Sequence, residues 1–204
     1  MKKLTLILTV LLGMNMAFQV MAAEEAAPPA PPAMSPEDQA MMEKFKAFST
    51  PGENHQVLNP LVGEWNYEIK MWKAPGTEPE VSSGTSSSSW ILGGRFVEDK
   101  VSGVFMEQPF EGMGIIGYDN IQKTYNSVWL DNMSTGFMAS SGSYDADKKT
   151  LTQEGEFTCP MLEGPRWFKS VTTITDPDHH TYDMYMQDES GKEFVGMQIS
   201  YTRK

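Results

Sequence analysis

Trp65-Asn66-Tyr67-Glu68-Ile69-Lys70-Met71 sets large apolar side chains at every second position with polar ones between them. A period of two is that of an extended strand with one face in a core and the other in water. The far end of the chain repeats it: Val195, Met197, Ile199 and Tyr201 alternate with Gly196, Gln198 and Ser200, and shortly before them Tyr182, Met184 and Met186 oppose Asp183 and Gln187. These apolar faces are expected to point inward. In the middle, Phe110, Ile116 and Tyr118 share a face with Gly112 and Gly114, residues small enough to let a strand bend sharply or to leave room beside it.

Outward from these segments, β-branched, aromatic and serine-rich stretches recur, broken by turn residues roughly every eight to twelve positions. The pattern predicts strands near 61–72, 81–92, 95–106, 110–118, 123–131, 136–144, 150–159, 166–175, 181–187 and 194–203. Gly93-Gly94, Asp119-Asn120, Asp131-Asn132, Asp145-Ala146-Asp147, Asp176-Pro177-Asp178 and Ser190-Gly191 are strong turn formers at the joints. Links this short make consecutive strands antiparallel neighbours, so the sheet is a meander. A meander has two exposed edges, and closing it on itself removes them; about eight to ten strands is a size at which a closed barrel can hold one small ligand. The expected fold is therefore all-β: an antiparallel meander closed into a barrel of about ten strands, with a short N-terminal helix.

Ahead of the strands, Lys2 and Lys3 precede an apolar run from Leu4 to Leu12, with small residues near Ala22 and Ala23. This reads as a secretory signal peptide over 1–22, too short for a membrane span and without a cysteine at the cleavage point for a lipid anchor. A Pro/Ala-rich linker follows over 23–34, then a helical segment over 35–60, then the barrel domain over 61–204. Ser35-Pro36-Glu37-Asp38 supplies an N-cap, a first-turn proline and early acids, and Thr50-Pro51-Gly52 stops the helix. Met41, Met42, Phe45 and Phe48 fall at helical spacing, a stripe expected to pack on the protein's own domain, with docking of a protein partner through 41–48 as the alternative. The expected location is periplasmic or secreted.

Sixteen Lys and Arg stand against 27 Asp and Glu, a net charge of −11; loss of Lys2 and Lys3 with a signal peptide leaves 14 against 27, or −13. That balance argues against nucleic acid and anionic lipid as partners. The single cysteine, Cys159, cannot form an internal disulfide, and at a strand end it reads as a small buried hydrophobe. Sixteen methionines are many for 204 residues, and their flexible, polarizable side chains suit either core gaps or an adaptable apolar cavity.

The Gly-x-Trp of Gly63-Glu64-Trp65, at the start of the first strand after a short helical turn, resembles the opening of lipocalin-like barrels. There the tryptophan plugs one end beneath a basic side chain from the last strand. Arg203 in Tyr201-Thr202-Arg203-Lys204 is the matching residue, so the resemblance implies closure by Gly63, Trp65 and Arg203, with a guanidinium over an indole giving about 0.5 to 2 kcal/mol. More specifically, Phe48-Ser49-Thr50-Pro51-Gly52-Glu53-Asn54-His55, Trp90-Ile91-Leu92-Gly93-Gly94-Arg95-Phe96, Pro109-Phe110-Glu111-Gly112, Gly117-Tyr118-Asp119-Asn120, and Gly191-Lys192-Glu193-Phe194 with Tyr201-Thr202-Arg203 resemble the bacterial domain-of-unknown-function family numbered 1579. The resemblance runs from about Ser35 to the end and implies a lipocalin-like, calycin-type barrel. That family has no settled activity, so no catalytic residues carry over.

Metal ligation needs converging His, Cys or carboxylate groups, and His55, His179 and His180 with nearby acids are the candidates. Adjacent histidines on a strand point to opposite faces, so Asp176-Pro177-Asp178-His179-His180 reads as a solvated turn and no metal site is expected. Some ten-stranded barrels of this general architecture bind haem through an interior histidine. His180 opens the ninth strand, but nothing in its spacing favours axial ligation, and no cofactor is expected. Glu98, Asp99, Glu111 and Glu154 sit within strands where one could be buried with a raised pKa. No Gly-x-Ser-x-Gly elbow or P-loop occurs, and Ser86 to Ser89 reads as a polar strand with no base beside it.

The expected function is that of an exported protein binding a small apolar or amphipathic molecule inside the barrel. Trp90, Phe110, Tyr118, Trp129, Met184, Met186 and Met197 are the expected lining, with Arg95 or Arg166 as polar anchors. Two alternatives stand beside it: a filled barrel acting as a structural or protein-interaction module, and an isomerase or hydrolase with its site in the barrel mouth.

Overall fold

The computed structural model describes residues 34–158 and 164–204. The expected signal peptide, the linker up to Ala33, and Cys159 lie outside the described residues. Helix α1 (Pro36–Ser49) begins as its sequence dictates, with the Ser35 hydroxyl accepting from the Asp38 N–H at 3.1 Å and Pro36 in the first turn. A single turn, α2 (Glu53–Gln56), and a 3₁₀ turn over Asn59–Leu61 carry the chain to the first strand.

Ten strands follow among the described residues: β1 (Gly63–Met71), β2 (Glu80–Ile91), β3 (Phe96–Phe105), β4 (Gln108–Asp119), β5 (Thr124–Asp131), β6 (Met138–Asp145), β7 (Thr150–Phe157), β8 (Arg166–Asp176), β9 (His179–Gln187) and β10 (Glu193–Arg203). Each pairs antiparallel with its neighbour in sequence, and β1 pairs with β10, so the meander closes into a barrel with no free edge. The closing register places Trp65 opposite Arg203 and Met71 opposite Met197. Odd-numbered strands run away from the helical end and even-numbered strands return to it.

The helical end is shut. Residues 51–62 lie across it as a floor, from which Leu58 packs onto Val97, Tyr125 and Leu151. The Tyr125 hydroxyl donates to the Asn54 carbonyl at 2.8 Å, and the Trp90 indole N–H donates to Asn59 Oδ1 at 2.9 Å, tying floor to wall. His55 is buried in this floor with its Nδ1 accepting from the Gly52 N–H at 3.1 Å and its ring edge on Tyr118. An imidazole in that role must be neutral, and burial together with the Arg95 charge lowers its pKa accordingly.

Trp65, only 1% exposed, is the stopper. Its indole N–H donates to the Leu61 carbonyl at 3.0 Å, and the Arg203 guanidinium sits 4.1 Å from its ring centroid. Arg203 in turn donates to the carbonyls of Val62 at 3.0 Å, Pro60 at 3.3 Å and Pro177 at 2.9 Å. Gly63 makes this possible: its φ of +146° belongs to glycine, and a Cβ there would collide with Arg203 Nη1.

One expectation fails. The stripe on α1 does not pack on the domain; the helix has no buried residue, and Met41 and Phe45 are 63% and 60% exposed. The reason is placement, since the hydrogen bonds that tie α1 to the barrel are at its C-terminal end, where Asn120 Nδ2 donates to the carbonyls of Ala47, Phe48 and Thr50.

Candidate functional site

Inside the barrel is a cavity of about 440 Å³, within the range typical of small-molecule sites. Its deep end lies against Trp65's neighbours and its mouth at the far strand ends. The difference in chemistry between the two follows from the strands' inward positions.

At the mouth the lining is apolar: Met71 from β1, Phe105 from β3, Phe110 from β4, and Met133 and Met138 around the link from β5 to β6. Trp129 lies beside Phe110 with the rings stacked at 6.4 Å, and its indole N–H donates to Asp131 Oδ2 at 2.9 Å. Gly112 is the residue that admits this ring, because a Cβ there would strike the Trp129 six-membered ring. The space expected beside Gly112 and Gly114 is thus taken by Trp129.

Deeper, the wall turns polar. Ser88 donates to Asp99 Oδ1 at 2.7 Å. Burial pushes the Asp99 pKa up, an effect partly opposed by Ser88 and by the nearby Ser86. Ser86 is nonetheless without a hydrogen bond of good geometry, although only 3% exposed. On the opposite wall, Ser127 and Ser140 share a 2.8 Å hydrogen bond, and Gln153 joins them while donating to the Tyr125 carbonyl at 3.1 Å. Tyr67, Tyr182 and Tyr201 also border the cavity, their phenols held neutral by burial, with Tyr182 pushed up to about 12.

His180 sits at the deep end, 8% exposed. Its ring stacks on Tyr201 at 4.2 Å and meets Trp65 edge-on at 4.5 Å. Burial, then the Arg203 charge, lowers its pKa to about 4, so the ring is neutral near pH 7. Its Nδ1 is buried and unpartnered among the described residues. His179, one residue earlier, points outward and pairs with Asp176 at 2.9 Å. Among the described residues no three His, Cys or carboxylate groups converge as metal ligands would.

A family model for proteins of unknown function, DUF1579, matches residues 50–203. The chain belongs to the DUF1579 family. Among solved structures, this DUF1579 barrel is similar to Rv2717c from M. tuberculosis, with 15% identity, a TM-score of 0.56, and coverage of 76% of this chain and 99% of that one. At that identity the likeness shows the fold alone. A redesigned beta barrel aligns at 13% identity and TM-score 0.39, over 73% of this chain and 96% of its own. No curated protein matches.

Of the residues expected to line a ligand site in this DUF1579 chain, Phe110, Trp129 and Met197 border the cavity. Trp90 and Tyr118 pack into the cluster around Leu58 at the shut end. Met184 is buried, and Met186 lies over Gly196, where β10 bulges; neither borders the cavity. Arg95 and Arg166 are exposed, and Arg95 caps its own turn by donating to the Leu92 carbonyl at 3.0 Å. Gly63, Trp65 and Arg203 meet at the stopper described above. The polar deep end of Ser86, Ser88, Asp99 and His180 was not assembled from sequence, though alternation counted back from Trp90 turns Ser88 and Ser86 inward.

Proposed function

We propose that this DUF1579 protein is exported and binds a small amphipathic molecule inside its barrel, in the periplasm or outside the cell. The observation that carries the reading is the cavity of about 440 Å³, apolar at its mouth and holding unpartnered polar groups at its deep end. Buried polar groups cost stability unless they find partners, so a wall that leaves Ser86 and His180 without them is suited to a guest that supplies them. Native mass spectrometry of protein purified without detergent tests this, alongside displacement of an environment-sensitive naphthalene dye. Retained small-molecule mass, or dye binding that competes with apolar compounds, supports the reading; bare protein that takes up no dye counts against it.

The solvent-facing stripe of α1 favours a second reading, in which Met41, Met42, Phe45 and Phe48 dock a protein partner. A partner bound by the full chain and lost by the Met41→Ser/Phe45→Ser variant, with thermal unfolding unchanged, would support it.

A further inference from the structure

Resting on the cavity reading above, we infer that the site selects a ligand with a protonated amine head, seated against Asp99 at the deep end, and an apolar body reaching to the mouth. The first ground is the charge of the wall. Asp99 and Asp131 both border the cavity, and among the described residues no lysine or arginine does. Asp131 is satisfied, accepting from the Trp129 indole and, at 3.0 Å, from the Met133 N–H. Asp99 is not: Ser88 donates to Oδ1, and Oδ2 accepts no hydrogen bond of good geometry among the described residues. Its ion pairs are equally lacking there, whereas Glu98 and Lys100 on either side of it pair with each other on the outer face. A partly buried carboxyl without a counter-ion has its pKa raised, as Asp99 does, and a cationic guest would reverse that.

The second ground is the pair of unpartnered polar atoms at the deep end, one of them on Ser86 beside Asp99. Ser86 Oγ and His180 Nδ1 are buried and unpartnered. With the imidazole neutral, one of its ring nitrogens is an acceptor, and a serine hydroxyl can accept as well. An ammonium brings three N–H donors and no acceptor, so it complements a wall of a carboxylate, hydroxyls and a neutral histidine. A carboxylate head seated there would face Asp99 with no cation beside it, a like-charge arrangement that disfavours binding. The net charge of −11 also concentrates cations near the protein.

The test compares three probes that differ only in the head: decylamine, decanol and decanoate, titrated calorimetrically into the full chain at pH 7.5, each below its aggregation concentration. Decylamine is expected to bind at least about tenfold more tightly than decanoate. In Asp99→Asn the preference of amine over alcohol is expected to vanish. Decanoate binding as tightly as decylamine, or an amine preference that survives Asp99→Asn, overturns the inference and leaves the cavity reading standing. Binding of none of the three overturns both. The comparison of heads on the unsubstituted protein holds even where Asp99→Asn fails to fold.

Discussion

Arg203→Met removes the guanidinium from the stopper and keeps an apolar stem over Trp65, which isolates what the charge contributes. Three hydrogen bonds go, to Val62 at 3.0 Å, Pro60 at 3.3 Å and Pro177 at 2.9 Å. Bonds from a charged donor contribute up to ~3 kcal/mol each when fully buried, but Arg203 is partly open, and the Pro177 carbonyl can turn to water. Taking about 1 kcal/mol for each of the two facing the floor, and about 0.5 to 2 kcal/mol for the cation–π contact, gives a loss of about 2.5 to 4 kcal/mol. The ion pair to Asp178 at 3.3 Å is solvent-exposed and adds little. For a chain of this size that loss lowers Tm by about 5 to 15 °C. Urea unfolding and thermal melts measure it. A second readout separates this account from general damage: the Arg203 charge helps lower the His180 pKa to about 4, so the variant's His180 must titrate higher, while burial still keeps it below 6.5. A destabilisation under about 0.5 kcal/mol, or a His180 titration that does not move, would refute the stopper.

Other outcomes follow from the same contacts. His180 titrates near 4 folded and near 6.5 unfolded, so the unfolded chain binds the extra proton between those values; stability is full above pH 6.5 and falls as the pH drops towards 4, by about 3 kcal/mol, and His55 shifts in the same direction. Urea midpoints across that window measure it, and His180→Phe should flatten the slope. Gly63→Ala forces an unfavourable φ and a collision with Arg203, at a cost of about 2 to 4 kcal/mol by chemical denaturation. Gly112→Val pushes Trp129 off its seat, which should cost about 1 to 3 kcal/mol and red-shift tryptophan emission.

The barrel was legible because its signals are local. Alternation at Trp65 to Met71 marks a half-buried strand, and Gly93-Gly94 marks the turn from β2 to β3, where φ is +68° and +81°. Ten strands fall within a few residues of where period and turn chemistry put them. The site was less legible because alternation reports inside against outside and says nothing of height along the barrel axis. Trp90 and Tyr118 obey the inward parity yet lie at the shut end, beneath residues 51–62. The bulge between Val195 and Met197 also breaks the register that groups the late methionines. Helix α1 shows a related limit, since an apolar stripe says that a face seeks cover and not that the fold provides it.

The central claim is a barrel that its own side chains do not fill. A crystal structure of protein purified without detergent tests it directly. The account predicts non-protein density between Trp129 and the deep wall, as a guest or as ordered water bonded to Asp99, Ser86 and His180. A barrel in which Phe105, Phe110 and Trp129 have closed over those residues, leaving no space between, would contradict it.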